Sequence, residues 1–260
     1  MKFFRTFFLW SLFSILAFPS SLLAAEDAAL KQEIVSHFKQ LMATSKIEEP
    51  SANASTRSPS GPNHYRAVVK AVVCVLTRDG MGSGAVISNR GLIVTNWHVV
   101  GNERVVGVVF KPPGNTRISE DDILMARVLK ADQVRDLALL ALESPPPSAI
   151  GVPLGQLSAV EVGEDAFAIG HPQGLLWSYT EGVVSQIRPK YEWKLDDGST
   201  HRATVIQTQA IASFGSSGGP LFDEGNRLIG IMESLSSPGL SFAIAIDEVQ
   251  QFVLSVLEKR

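Results

Sequence analysis

The sequence predicts an all-β protein: two packed antiparallel β-barrels of six strands each, with a helix at either end. Two observations carry this expectation. Short β-branched runs alternate with Gly and Pro turns from Tyr65 to Ile246, about a dozen in all. The triple proline Pro145-Pro146-Pro147 then divides those runs about equally.

On the first side the runs are Ala67–Thr77, Gly84–Ser88, Leu92–Thr95, Val105–Phe110, Ile123–Lys130 and Leu137–Leu142. On the second they are Ala166–Ile169, Tyr179–Ile187, Ala203–Thr208, Leu221–Phe222, Leu228–Met232 and Ser241–Ile246. The barrels are therefore expected at about 65–147 and 148–246, within a domain of residues 65–260. Ahead of them, Leu30, Ile34, Phe38 and Leu41 recur at helical spacing, which predicts an amphipathic helix over Asp27–Met42. Such a stripe must bury itself on the domain or on another subunit. Thr44 to His64, rich in Ser, Pro, Asn and Glu, reads as a linker. The last helix is expected over 247–258, with Asp247 as N-cap, Gln250 at the reciprocal position, and Val249, Phe252, Val253, Val256 and Leu257 as its apolar face.

Residues 1–25 have the order of a secretory leader. Lys2 and Arg5 open it, an uncharged stretch runs from Thr6 to Ala25, and Leu23-Ala24-Ala25 precedes Glu26 and Asp27. Pro19 and the small residues before Glu26 favour cutting near Ala25. The alternative is a membrane anchor over residues 6–25, close to the ~20 residues that span a bilayer. The expected location is accordingly periplasmic or secreted, with membrane contact only if the leader stays uncut.

Composition excludes other classes. Apolar residues make up 45% and charged residues 19%, as in a folded globular chain. The net charge is −3 and no run of Lys and Arg stands out, so nucleic acid is not an expected partner. Cys74, the lone cysteine, lies in the apolar run Val72-Val73-Cys74-Val75-Leu76 and reads as a small buried hydrophobe. The five histidines are scattered without a His-Glu-x-x-His pair, so neither a metal nor another cofactor is expected.

Three segments carry chemistry. In Gly215-Ser216-Ser217-Gly218-Gly219-Pro220, glycines around a serine let the backbone turn tightly and expose N–H groups, with the Gly215 and Ser217 amides placed to donate to an oxyanion. In Val94-Thr95-Asn96-Trp97-His98-Val99-Val100, a histidine sits at a strand end among apolar neighbours. In Arg135-Asp136-Leu137-Ala138-Leu139-Leu140-Ala141-Leu142, an aspartate opens a strand that is apolar throughout. An acid entering a core must be paired, and a histidine would both satisfy it and gain a fixed tautomer. Asp132, its nearest rival, lies earlier in the loop, where water can reach it. Singly, each segment is as readily a flexible loop or a core residue; their order along a two-barrel chain is demanding.

These segments resemble the HtrA/Deg-type serine proteases, a branch of the chymotrypsin-like superfamily, over about residues 67–257. Gly82-Ser83-Gly84-Ala85-Val86-Ile87, Thr95 through Val100, Asp136 through Leu140, Val162-Gly163-Glu164, Ala168 through Leu175, Gly182-Val183-Val184-Ser185, Gln207-Thr208 and Ser241-Phe242-Ala243-Ile244 carry the likeness. The resemblance implies a serine endopeptidase with the triad His98, Asp136 and Ser217. His98 would act as general base and then acid, Asp136 would orient it, and Ser217 would form an acyl-enzyme on unfolded or exposed polypeptide. Ile211 and Ala212 would lie at the base and wall of the specificity pocket, with Phe242 nearby. None is an acid, so small or medium apolar residues before the cut are expected rather than Lys or Arg, though Ile211 could equally be core. The family also suggests a homotrimer through the N-terminal segment.

The chain departs from the branch in places. Ser213-Phe214-Gly215-Ser216 stands where Asn-Pro-Gly-Asn is usual, and Trp97 is bulkier than the usual residue beside the histidine. Ser216 takes the place of the aspartate that trypsin-like enzymes use to bind a newly cut N-terminus. No PDZ domain is expected after the protease unit. A protease-fold chaperone or binding protein with weak or conditional activity is the alternative reading.

Overall fold

A computed structural model describes residues 20–44, 60–114, 118–194, 198–237 and 240–258. Residues 1–19 of the expected leader and 45–59 of the expected linker lie outside the described residues.

Helix α1 spans Ser20–Thr44, so it begins ahead of the expected cut at Ala25. Leu30, Ile34 and Phe38 are buried, and the stripe lies on the chain's own first barrel. At Gly107 a Cβ would come within 2.8 Å of Ile34 Cγ2, so the absent side chain is what admits the helix. Arg78 ties to Glu33 at 3.3 Å, and Lys39 pairs with Glu120.

Helix α2 (Gly61–Val68) and a 3₁₀ turn (Val69–Ala71) follow. The expected strand over Ala67–Thr77 is thus corrected in its first half, and the expected linker ends at Ser60. The reason is local: Pro62 fixes a helical φ in the first turn, and the Ser60 carbonyl accepts from Asn63 and His64.

The first barrel comprises β1 (Val72–Leu76), β2 (Met81–Ser88), β3 (Leu92–Thr95), β4 (Val105–Phe110), β5 (Ile123–Asp132) and β6 (Leu137–Leu142), with the one-turn helix α3 (Trp97–Val100) after β3. The second comprises β7 (Asp165–Gly170), β8 (Ser178–Lys194), β9 (Thr200–Thr208), β10 (Pro220–Asp223), β11 (Leu228–Ser237) and β12 (Leu240–Ala245). Strand order around the first is β1-β2-β3-β6-β5-β4, and around the second β7-β8-β9-β12-β11-β10. Both close, through β1–β4 and β7–β10 pairing, and every strand pair is antiparallel. One topology therefore occurs twice without a visible sequence repeat. Closure removes unpaired sheet edges.

Helix α4 (Ile246–Leu257) packs Val249, Phe252 and Val256 into the core, while Leu257 stays exposed. It bridges the barrels through Glu248. One carboxylate oxygen accepts from the Thr204 N–H of β9 at 2.9 Å, and the other from Arg135 beside β6 at 2.8 Å. Burial alone would raise the Glu248 pKa, but these hydrogen bonds outweigh it and hold the group below the usual carboxylate range. Asp247 is not the N-cap. The helix already includes Ile246; Asp247 accepts instead from the Leu157 N–H at 3.3 Å, and Gln250 donates to the Gly155 carbonyl at 3.1 Å. Tertiary partners take both side chains that a capping box would have used.

Candidate active site

The two barrels meet where β2, β7 and β10 approach one another. Ser83 N–H donates to the Ser217 carbonyl at 2.8 Å, and Trp177 Nε1–H donates to the Val72 carbonyl at 2.9 Å. These bonds cross the seam and fix one barrel on the other. The three sequence-predicted chemical segments all reach this seam.

His98 lies on α3, which begins as β3 ends, so its ring is held by short rigid structure. Its Nδ1 is 2.7 Å from Asp136 Oδ2, and its backbone N–H donates to Asp136 Oδ1 at 2.8 Å. Asp136 is fully buried at the turn into β6, with a left-handed φ of 55°. For a residue with a side chain that conformation costs of the order of 1–3 kcal/mol, and it persists only where the surroundings over-determine it. Here they do: Asn96 Nδ2–H donates to the Asp136 carbonyl at 3.0 Å, and both carboxylate oxygens are engaged by His98. An ionised Asp136 accepts the Nδ1 proton and leaves Nε2 with its lone pair as the basic nitrogen. Asp132 is occupied elsewhere, accepting from the Arg135 backbone at 3.0 Å and its guanidinium at 2.8 Å.

The serine loop runs from β9 to β10 and is strapped to β11: Gly218 N–H donates to the Met232 carbonyl at 2.9 Å, and Met232 N–H to the Gly219 carbonyl at 2.7 Å. Gly218 (φ 83°) has no room for a side chain, because a Cβ would meet Ser83 O and Thr95 Oγ1 at 2.2 Å and Asn96 N at 3.1 Å. The loop therefore abuts the residues that lead into His98.

Peptide directions within the loop can be read off. In a trans peptide the C=O and the next N–H point opposite ways. Phe214 C=O is held by Gln173 N–H at 2.7 Å, and Ser216 C=O by Gly219 N–H at 3.0 Å, so Gly215 N–H and Ser217 N–H are turned away from those partners. Ser216 N–H is used inside the loop by Ser213 O at 2.8 Å, whereas among the described residues the Gly215 and Ser217 amides meet no acceptor. Two free amides flanking one that is used are what an oxyanion requires. Gly215 supplies the positive φ of 93° that this turn needs.

The departures from the family pattern find places. Phe214 is 83% exposed, so the side chain standing in for proline faces solvent while its carbonyl holds the loop. Ser216 Oγ accepts from Ser213 N–H at 3.3 Å and serves the loop itself. Trp97 leans on His201, ring centroids 5.8 Å apart. Ile211 is 64% exposed rather than core, Ala212 is buried with its N–H on Ser241 Oγ at 2.8 Å, and Phe242 stacks on Tyr191 at 5.2 Å.

Three further residues went unassigned in the sequence reading. Ser83 and His171 form a buried relay to the loop: His171 Nδ1 is 2.8 Å from Ser83 Oγ, which donates to Gly215 O at 2.7 Å. Because that hydroxyl spends its single proton on Gly215, Nδ1 is the donor; burial is what keeps the ring neutral. Burial pushes the His171 pKa down to about 3. Glu233, 1% exposed, places Oε1 3.8 Å from His98 Nδ1. Its signal was present: like Asp136 it is an acid attached to an apolar run, Leu228–Met232. His98, Asp136 and Glu233 also offer donor atoms within 4.8 Å of one another. At 2.7 Å, however, His98 and Asp136 are spaced for a shared proton; two donors on one tetrahedral zinc at ~2.0–2.1 Å would stand farther apart.

A family model for the trypsin-like peptidase domain matches residues 82–231. The chain is 35% identical over 178 residues to Protease Do-like 1, chloroplastic, of Arabidopsis thaliana, covering 66% of this chain and 38% of that protein. It is 34% identical over 182 residues to the magnetosome formation protease MamE of Paramagnetospirillum magneticum, covering 68% and 24%. It is 36% identical over 173 residues to the mitochondrial serine protease HTRA2 of Bos taurus, covering 66% and 35%. The chain thus spans less than two fifths of the length of each of these relatives.

Proposed function

Since the chain belongs to the trypsin-like peptidase family, we propose that it is a serine endopeptidase acting on unfolded or exposed polypeptide, with His98, Asp136 and Ser217 as its triad. The observation that carries the reading is the His98–Asp136 pair at 2.7 Å beside a serine loop with two free amides.

In this reading His98 Nε2 takes the Ser217 proton as the hydroxyl attacks the scissile carbonyl. Asp136 holds the tautomer and stabilises the imidazolium that forms. The Gly215 and Ser217 amides receive the oxyanion, and removing one such donor typically costs ~10²–10³ in rate. His98 then protonates the leaving amine, and water repeats the sequence on the acyl-enzyme. Ala212 and Phe242, with the exposed Ile211 at the mouth, would favour a small or medium apolar side chain before the cut. The leader sequence supports export to a periplasm or the exterior. No described helix is long and apolar enough to cross a membrane. A homotrimer through the N-terminal segment would have to use faces of α1 other than the stripe already laid on its own barrel.

The test compares the exported chain with its Ser217→Ala variant on unfolded casein, maps the cut sites, and labels the protein with a fluorophosphonate. Cleavage and labelling lost in the variant are expected. A wild-type chain that neither cuts nor labels at Ser217 overturns the reading, and dominant cutting after Lys or Arg overturns the pocket assignment.

A further inference from the structure

His98 faces two buried carboxyls, and the catalytic roles above use one. Glu233 follows Met232 on β11, the residue whose N–H and C=O both bond the serine loop, and it pairs with Phe242 of β12. Its carboxyl is thereby fixed relative to both Ser217 and His98. At 3.8 Å, Glu233 Oε1 is too far from His98 Nδ1 for a hydrogen bond, but within the range at which an opposite charge acts on a ring that is only one fifth exposed.

We propose that Glu233 is a positioning residue for His98: a second buried carboxylate that holds the imidazole proton and sets the pH at which His98 becomes a free base. The proposal rests on the serine-peptidase reading for its consequence in catalysis, though not for its electrostatics. With His98 charged, one cation sits between two carboxylates. Removing that proton leaves two buried negative charges facing each other at the seam, so the proton is retained to higher pH. The other groups packed beside the two carboxyls are neutral: Asn96 before α3 bonds the Asp136 carbonyl, and Phe242 of β12 lies between Glu233 and Gln207 of β9 in the strand pairing. The cation on that side, Arg188 of β8, donates to Gln207 Oε1 at 2.8 Å. The guanidinium next to Asp136, that of Arg135, is directed to Asp132 and Glu248 instead.

The experiment is an NMR titration of the His98 ring in the full chain carrying Ser217→Ala, which prevents self-digestion, against the same chain with Glu233→Gln. The amide keeps the shape and removes the charge. The parent midpoint is expected above the ordinary imidazole value of about 6.5, falling by about one unit or more in Glu233→Gln and by less in the charge-keeping Glu233→Asp. In the Ser217 background, the acid limb of kcat/KM is expected to move to lower pH in Glu233→Gln by the same interval. A merely structural role would change the melting temperature and leave midpoint and limb in place. A midpoint unmoved or raised in Glu233→Gln overturns the proposal. Should that variant fail to fold, a parent midpoint at or below about 6.5 overturns it equally. A midpoint that shifts as expected in a chain that cleaves nothing supports Glu233 and removes the proteolytic reading instead.

Discussion

Ser83→Ala probes the loop that would hold the oxyanion, from a residue outside the triad. Ser83 is fully buried and holds three groups: it donates to Gly215 O at 2.7 Å, and it accepts from His171 Nδ1–H at 2.8 Å and from His171 N–H at 3.1 Å. Alanine leaves the Gly215 carbonyl, the His171 Nδ1–H and the His171 N–H without their partner. Each such orphan costs about 1–3 kcal/mol, so the change threatens about 3–9 kcal/mol at this one junction. Water has little room to repair it, because Cβ atoms built at Gly170 and Gly219 would stand 3.2 Å and 3.1 Å from Ser83 atoms. The loop can instead relieve itself by turning the Gly215–Ser216 peptide, which takes Ser216 N–H off Ser213 O and loosens the amides on either side. The expected outcome is a kcat lower by about 10²–10³, the loss typical of one oxyanion donor, together with slower fluorophosphonate labelling of Ser217. Stopped-time assays on a peptide identified from the casein map, beside a thermal melt, measure both. A Ser83→Ala protein with kcat within threefold of the parent and an unchanged melt would refute the relay.

Burial holds His171 at about 3 when folded, against about 6.5 in the unfolded chain. Between those values the unfolded state binds a proton the native state refuses. Its contribution to stability is therefore intact above about pH 6.5 and declines by up to about 1.4 kcal/mol per unit as pH falls towards 3; urea midpoints over that range should flatten in His171→Gln. Ile34, fully buried by the close approach at Gly107, should cost about 2–5 kcal/mol as Ile34→Ala if α1 unfolds with the barrel, and urea denaturation of that variant measures it. Cys74 is fully buried in β1, and burial pushes its thiol pKa up, so a thiol reagent should modify it only after unfolding.

Much of this protein was legible before folding because its signals are local. Every β-branched run but the first half of Ala67–Thr77 became strand, Pro145-Pro146-Pro147 fell between the barrels, and the acid opening an apolar strand at Asp136 required a buried partner. The misreadings also have local causes. Ala67–Ala71 looked like strand because its β-branched residues outweighed the helix start at Ser60-Gly61-Pro62, and Asp247 looked like a cap because the Leu157 amide that claims it is ninety residues away in sequence.

What sequence alone determined was the inventory: strands, turns and the residue types able to do acyl-transfer chemistry, all encoded in short-range pattern. Tertiary structure decided which side chains share a seam, since closing two barrels and packing them sets distances that no spacing records. It placed Glu233 3.8 Å from His98, ran Ser83 and His171 as a relay to Gly215, and laid α1 on its own barrel. Those placements rest on desolvation and packing between residues far apart along the chain, and that physics acts only once the core has formed.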